Sequence, residues 1–240
     1  MRWTKEDGGR YLKTYFRGSY GRTFNDKNPE HLAAAEAIGA NGGKGIPTVK
    51  PWNMELIQEK MALVNTAEPY AIAMDIDAAG LPFLKNMTPP AGSKTVAELK
   101  EIVAIAEKPF ILKGVMTVKG ALKALEAGAS AIVVSNHGGR VLDQSPATAE
   151  VLEEIAVAVG GSMKIFVDGG IRSGVDVFKA LAIGADAVII CRPFVPAVYG
   201  GAEEGVKLLI DKIGGELADT MAMCGAATID EITEDMVRLP

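Results

Sequence analysis

The sequence predicts an α/β chain wound as a (β/α)8 TIM barrel, incomplete at its N-terminal strands, on three observations. Short β-branched runs alternate with longer amphipathic stretches from about Ile46 onward. No GxGxxG follows any of the runs, which disfavours a dinucleotide-binding open sheet. Polar residues Lys113, His137, Asp168 and Arg192 end four of the runs, and a barrel gathers such strand tips at one mouth.

Taken in order, the strand-like runs are GIPTVKPW (45–52), YAIAMDID (70–77), PFILKGV (109–115), SAIVVSN (130–136), MKIFVDGG (163–170) and DAVIICR (186–192). Most hold several adjacent apolar residues, as expected of strands covered on both faces. Helices are expected at 53–65, 96–107, 118–127, 147–159 and 174–183. Thr117 and Ser173 stand at N-cap positions, and Gly128 and Gly184 follow the helical patterns where C-terminal glycines stop them. Parallel neighbours need such crossover helices, and no linker or low-complexity segment divides them, so one domain over 1–240 is expected. A barrel needs eight strands, and only six runs follow residue 44. Residues 1–44 therefore form an atypical or truncated start. YLKTYFRGSYGRTF (11–24) offers one strand and HLAAAEAIGA (31–40) a helix. Either the first unit is abbreviated or a piece of a longer ancestor is missing.

Bulk properties narrow the function classes. The formal net charge of −5 argues against a nucleic-acid surface. No run approaches the roughly 18 apolar residues of a membrane span, and the charged N-terminus lacks the apolar centre of a secretory signal. Only Cys191 and Cys224 are present, so no disulfide framework or metal-binding CxxC spacing exists. Both have apolar neighbours and read as small core residues. A reducing, cytoplasmic setting is the expectation.

The richest segment is SNHGGRVLD (135–143), which follows a strongly apolar run. Its two glycines let backbone approach a ligand, His137 suits proton transfer near neutrality, and Arg140 offers a fork that matches a carboxylate. DGGIRSG (168–174) and CRPF (191–194) end the last two runs, where barrels commonly hold phosphate. Amides around Gly169 and Gly170, with Arg172 and Arg192, suit that ligand. Lys113 at a strand end suggests an anion, while Asp75 and Asp77 could orient a histidine, coordinate a cation or cap a helix. His31 reads as a surface helix residue, and no metal site is expected.

On Lys113, SNHGGRVLD, DGGIRSG and CRPF, the sequence resembles the FMN-dependent α-hydroxy acid oxidising enzymes, which include glycolate and lactate oxidases. The similarity runs from about Gly45 to Ile232, so that 45–240 would carry strands three to eight. The resemblance implies FMN as cofactor, a small L-2-hydroxy acid as substrate and a homo-oligomer of four or more chains. It implies His137 as the base, Asp75 as the carboxylate behind it, and Arg140 as the clamp on the substrate carboxylate. Lys113 and Ser135 would contact the flavin ring, and Asp168, Gly169, Gly170, Ile171 and Arg172 its ribityl and phosphate. Cys191 and Arg192 stand where the family has a Gly-Arg pair that completes the phosphate site. Lys50 and Trp52 stand at a Gln and a Tyr, giving Lys50 to the cofactor and Trp52 to the substrate, and Ala73 stands at a flavin-contacting threonine. Residues alone leave a phosphate-binding barrel isomerase and an inactive remnant as alternatives.

Overall fold

The computed structural model describes residues 37–40, 42, 44–81, 84 and 86–238. The strand expected within 11–24, most of the helix expected at 31–40, and His31 lie outside the described residues. Six strands follow one another: β1 (Thr48–Val49), β2 (Ile72–Asp75), β3 (Phe110–Val115), β4 (Ala131–Val134), β5 (Lys164–Asp168) and β6 (Ala187–Ile189). All neighbours pair in parallel, in the order β1-β2-β3-β4-β5-β6. A doubly wound sheet reverses its strand order at a switch point, whereas this order never reverses, which is the winding of a barrel.

Between the strands run α1 (Met54–Asn65), α2 (Val96–Ile105), α3 (Val118–Glu126), α4 (Thr148–Val159) and α5 (Gly174–Ala182). Their starts are set by the expected side chains. Thr117 Oγ1 accepts from Gly120 N at 3.0 Å, and Ser173 closes a reciprocal box with Asp176. Gly128 and Gly184 adopt φ of +86° and +105° just past their helices. A sixth helix, α6 (Phe194–Cys224), was not expected. It runs 31 residues with a non-helical break at Ala202, and its Pro196 and glycine pairs hide the helical period in the sequence.

Alternation along the strands separates two apolar layers. Ile72, Met74, Leu112, Ile132, Val134, Ile165 and Val167 join the core shared with the helices. Ala71, Ala73, Ile111, Ala131, Val133, Phe166 and Ala187 form a second cluster on the opposite, inner face. Truncating a fully buried residue of the outer layer, such as Leu152 of α4, would cost about 2–5 kcal/mol. The inner cluster mixes alanines with Phe166, so small and large side chains interlock as a packed floor.

Candidate active site

Inward-facing positions one step above the floor are polar. Continuing the alternation from Thr48, Ala73, Ile111, Val133 and Phe166 reaches Lys50, Asp75, Lys113, Ser135 and Asp168, all at the C-terminal ends of their strands. They bond to one another. Lys113 Nζ donates to Ser135 Oγ at 2.7 Å and lies 3.2 Å from Asp168 Oδ2, while Lys50 Nζ lies 2.6 Å from Asp75 Oδ2. Lys113, Ser135 and Asp75 are buried, so each charge is held by a partner as burial demands.

The turn after β4 carries His137, which is buried and left-handed at φ +58°, followed by Gly138 and Gly139 at +70° and +76°. Asn136 holds this bend by accepting from the N–H groups of Gly138 and Gly139 at 3.1 and 3.2 Å. Ser135 Oγ accepts from His137 N at 3.2 Å, which ties the turn to Lys113. Arg140 Nε donates to the His137 carbonyl at 3.1 Å, fixing its guanidinium on the same turn. A left-handed residue that is not glycine costs of order 1–3 kcal/mol, which the surrounding bonds offset.

The partner of the imidazole corrects an expectation. His137 Nδ1 lies 2.9 Å from Oδ2 of Asp77, not of Asp75. Asp75 ends β2 and takes Lys50, whereas Asp77 lies one step further, in a 3₁₀ turn at Ile76–Gly80. An ionised carboxylate can only accept, so Nδ1 carries the proton and Nε2 is left as the acceptor for chemistry. Ala73 sits in the apolar floor, two residues before Asp75 on the same strand.

Asp77 fits because β3 is bulged. The β3–β4 register shifts between Lys113 and Val115, and Gly114 takes φ +100°. A Cβ on Gly114 would stand 2.5 Å from Asp77 Cγ, so two separate constraints require glycine there. Asp77 was one of two carboxylates that the sequence left open for orienting a histidine, whereas Gly114 was not expected. The shared signal was the glycine inside an otherwise apolar strand, which marks a bulge or a close approach.

The turn after β5 is organised differently. Gly169 and Gly170 take φ +93° and +79°, and a Cβ on Gly170 would meet nothing within 4 Å. Thr148, at the start of α4, donates from Oγ1 to the Asp168 carbonyl at 2.7 Å, a tie the sequence did not disclose. Asp176 Oδ2 accepts from the N–H of Arg172 and of Ser173, each at 3.0 Å, and Glu216 Oε2 accepts from Gly174 N at 2.9 Å. Lys212 beside it, and then that Gly174 N–H, hold the Glu216 carboxyl below the usual range. Carboxylates thus occupy the start of α5, and an anion on this turn would meet the Gly169–Ile171 backbone instead. Arg192 reaches back to the other turn, with Nη2 3.0 Å from where a Cβ of Gly138 would lie. Cys191 and Cys224 are exposed, contrary to the core reading, because Cys191 follows the end of β6 and Cys224 is the last residue of α6.

Trp52 does not join these groups through a hydrogen bond. It belongs to the core cluster shared with α1, and its indole N–H has no partner among the described residues. Asp75, Asp77 and His137 each offer a ligand atom within 4.8 Å of the others, and Lys50 already brings an ammonium to that trio.

A singly wound parallel arc thus carries an imidazole–carboxylate pair, a fixed guanidinium and a glycine turn at its mouth. The chain belongs to the FMN-dependent dehydrogenase family, whose profile matches residues 44–239. It is 50% identical over 141 residues to the peroxisomal (S)-2-hydroxyacid oxidase GLO3 of Arabidopsis thaliana, covering 59% of this chain and 39% of that protein. It is 42% identical over 143 residues to an L-lactate oxidase of a Roseobacter strain, covering 60% and 39%. The match thus spans about two fifths of those relatives. A crystal structure of mandelate oxidase with benzoyl-formic acid superposes with a TM-score of 0.78 at 29% identity, over 92% of this chain and 76% of that one. The fold class is the (β/α)8 barrel, six strands of which the described residues carry.

The family's FMN fits the residues present. Asp168 Oδ1 is buried without a partner among the described residues, an acceptor waiting for a hydroxyl such as ribityl carries. Open space over Gly170 and the cation of Lys113 suit a phosphate tail and an electron-rich ring.

Proposed function

We propose that this chain oxidises a small L-2-hydroxy acid, lactate- or glycolate-like, to the 2-oxo acid with FMN. The observation that carries the reading is His137 backed by Asp77 with Arg140 on the same turn. Arg140 presents its guanidinium to the substrate carboxylate, which places the α-carbon beside the imidazole. His137 Nε2 takes the hydroxyl proton as the alcohol becomes a carbonyl. Asp77 supplies the counter-charge to the imidazolium and keeps Nδ1 protonated, so the ring cannot turn its acceptor away. FMN supplies the two-electron acceptor for the α-hydrogen. Lys113 would offer its positive charge to the electron-rich reduced ring, and Ser135 holds Lys113 in line. Lys50 lies on the same mouth layer and would be a further cofactor contact.

Purified protein loaded with FMN should be yellow and should bleach anaerobically when lactate, glycolate or a longer 2-hydroxy acid is added. A loaded sample that none of these acids reduces would sink the reading. Two exposed free cysteines support a reducing compartment such as the cytoplasm, although the plant relatives are named as peroxisomal. Among the described residues no helix is long and apolar enough to cross a membrane. Assembly as a homo-oligomer belongs to the same reading and is open to light scattering.

A further inference from the structure

The 3₁₀ turn that follows β2 meets the His137 loop through two residues, not one. Such a turn repeats every three residues, so Asp77 and Gly80 lie on the same side of Ile76–Gly80, while Ala78 is buried in the core. Asp77 takes the imidazole. Gly80 takes Val141: a Cβ on Gly80 would stand 3.0 Å from Val141 Cγ1 and 3.9 Å from the Val141 carbonyl oxygen. Gly80 is not left-handed, so space and not backbone strain decides what fits there. The loop is closed at its ends, since Asn136 Nδ2 donates to the Pro146 carbonyl at 3.0 Å. Of its valine and leucine, Leu142 is 69% exposed, whereas Val141 packs on the main core cluster. Val141 is therefore the apolar foot of the loop, four residues past His137 and next to Arg140.

We propose that Val141 is a positioning residue, whose seat on Gly80 sets where Arg140 holds the substrate carboxylate relative to His137. This rests on the functional reading above, in which Arg140 clamps that carboxylate. The His137–Asp77 contact fixes the loop to the turn at one point and Val141 on Gly80 fixes it at a second, with Arg140 carried between them. One contact alone would leave the loop free to pivot about the imidazole. The second removes the pivot. A methyl group added at Gly80 has no room, so it lifts Val141 and moves Arg140 with it. The clamp then holds the α-carbon away from the base, and a misplacement of about 1 Å can cost about 10²-fold.

The test is anaerobic stopped-flow bleaching of FMN-loaded protein over a range of lactate and glycolate concentrations, for the parent, Gly80→Ala, Val141→Ala and the double variant. Gly80→Ala should raise the half-saturating acid concentration about tenfold and lower the limiting rate about threefold, with FMN affinity unchanged. Val141→Ala should raise that concentration about threefold. The double variant, in which the deleted methyls make room for the added one, should return to within about twofold of the parent. A contact that only holds the fold together would lower the urea midpoint in every variant and leave the half-saturating concentration alone, which overturns the proposal. So does a double variant no better than Gly80→Ala. Should Gly80→Ala fail to fold, Val141→Ala against the equally shaped Val141→Thr carries the test: the first must rise about threefold while the second stays with the parent, and equal values overturn the proposal. A parent that takes up no FMN, or that neither acid bleaches, overturns the functional reading and this one with it; a parent bleached by an acid, with variants that match it, overturns this one alone.

Discussion

The turns after β4 and β5 look alike in sequence, each a polar residue followed by two glycines, yet they are held in opposite ways. Around His137 the ties are side chains that belong to the site itself: Asp77 on the ring, Ser135 on the amide, Arg140 on the carbonyl. Around Gly169 the ties come from outside. Thr148 holds the Asp168 carbonyl from α4, and Asp176 and Glu216 occupy the amides where α5 begins. A turn that moves protons needs its chemical groups locked to each other, whereas a turn that cradles an anion needs its backbone locked and its amides open.

That contrast can be broken most severely at the first turn. His137→Gln and Asp77→Asn should each slow anaerobic flavin reduction by about 10²–10⁴-fold in stopped flow, with FMN still bound. Equal rates in Asp77→Asn and the parent would return the orienting role to Asp75. Gly114→Ala acts on the same turn from a distance. Its Cβ collides with Asp77 and its φ is +100°, so reduction should slow by about 10²-fold and unfolding free energy fall by about 1–3 kcal/mol in urea titration.

The second turn should respond in binding and not in rate. Thr148→Val removes the hydroxyl that fixes the Asp168 carbonyl, and FMN affinity by fluorescence quenching should weaken about fivefold while the reduction rate of loaded protein stays put. Thr148→Ser should restore affinity. The smallest effect concerns Glu216, whose carboxyl is held low by Lys212 and the Gly174 N–H. A depressed carboxylate contributes stability above its unfolded value of about 4.3 and loses it as pH falls through the folded one. Glu216→Gln should therefore be less stable than the parent at pH 7, and the gap should close in acid. A gap that widens on acidification would reverse the sign.

Much of this was legible in the amino acids. Helix starts at Thr117 and Ser173 were readable because a hydroxyl cap is a local device, needing only residues three positions apart. His137, Arg140, Lys113 and Asp168 were found because strand tips converge in this winding whatever the side-chain details. The choice between Asp75 and Asp77 was not legible. Both are carboxylates two residues apart, and which one reaches His137 depends on where β2 ends and on a bulge in a different strand, β3. Thr148 was hidden for the same reason, since its bond spans twenty residues to a backbone atom. Cys191 and Cys224 misled through sequence neighbours, which report on an element's interior and not on its last residue or the positions past its end.

The floor of alanines and Phe166 has a kinetic consequence. It closes the described arc from below, so reactants entering there would have to unpack close-fitted side chains. On the proposed reading, substrate, product and oxidant would then share the approach above His137, the floor being closed among the described residues. Sharing favours alternation, in which the first product departs before the oxidant arrives, and steady-state plots at varied oxidant should give parallel lines.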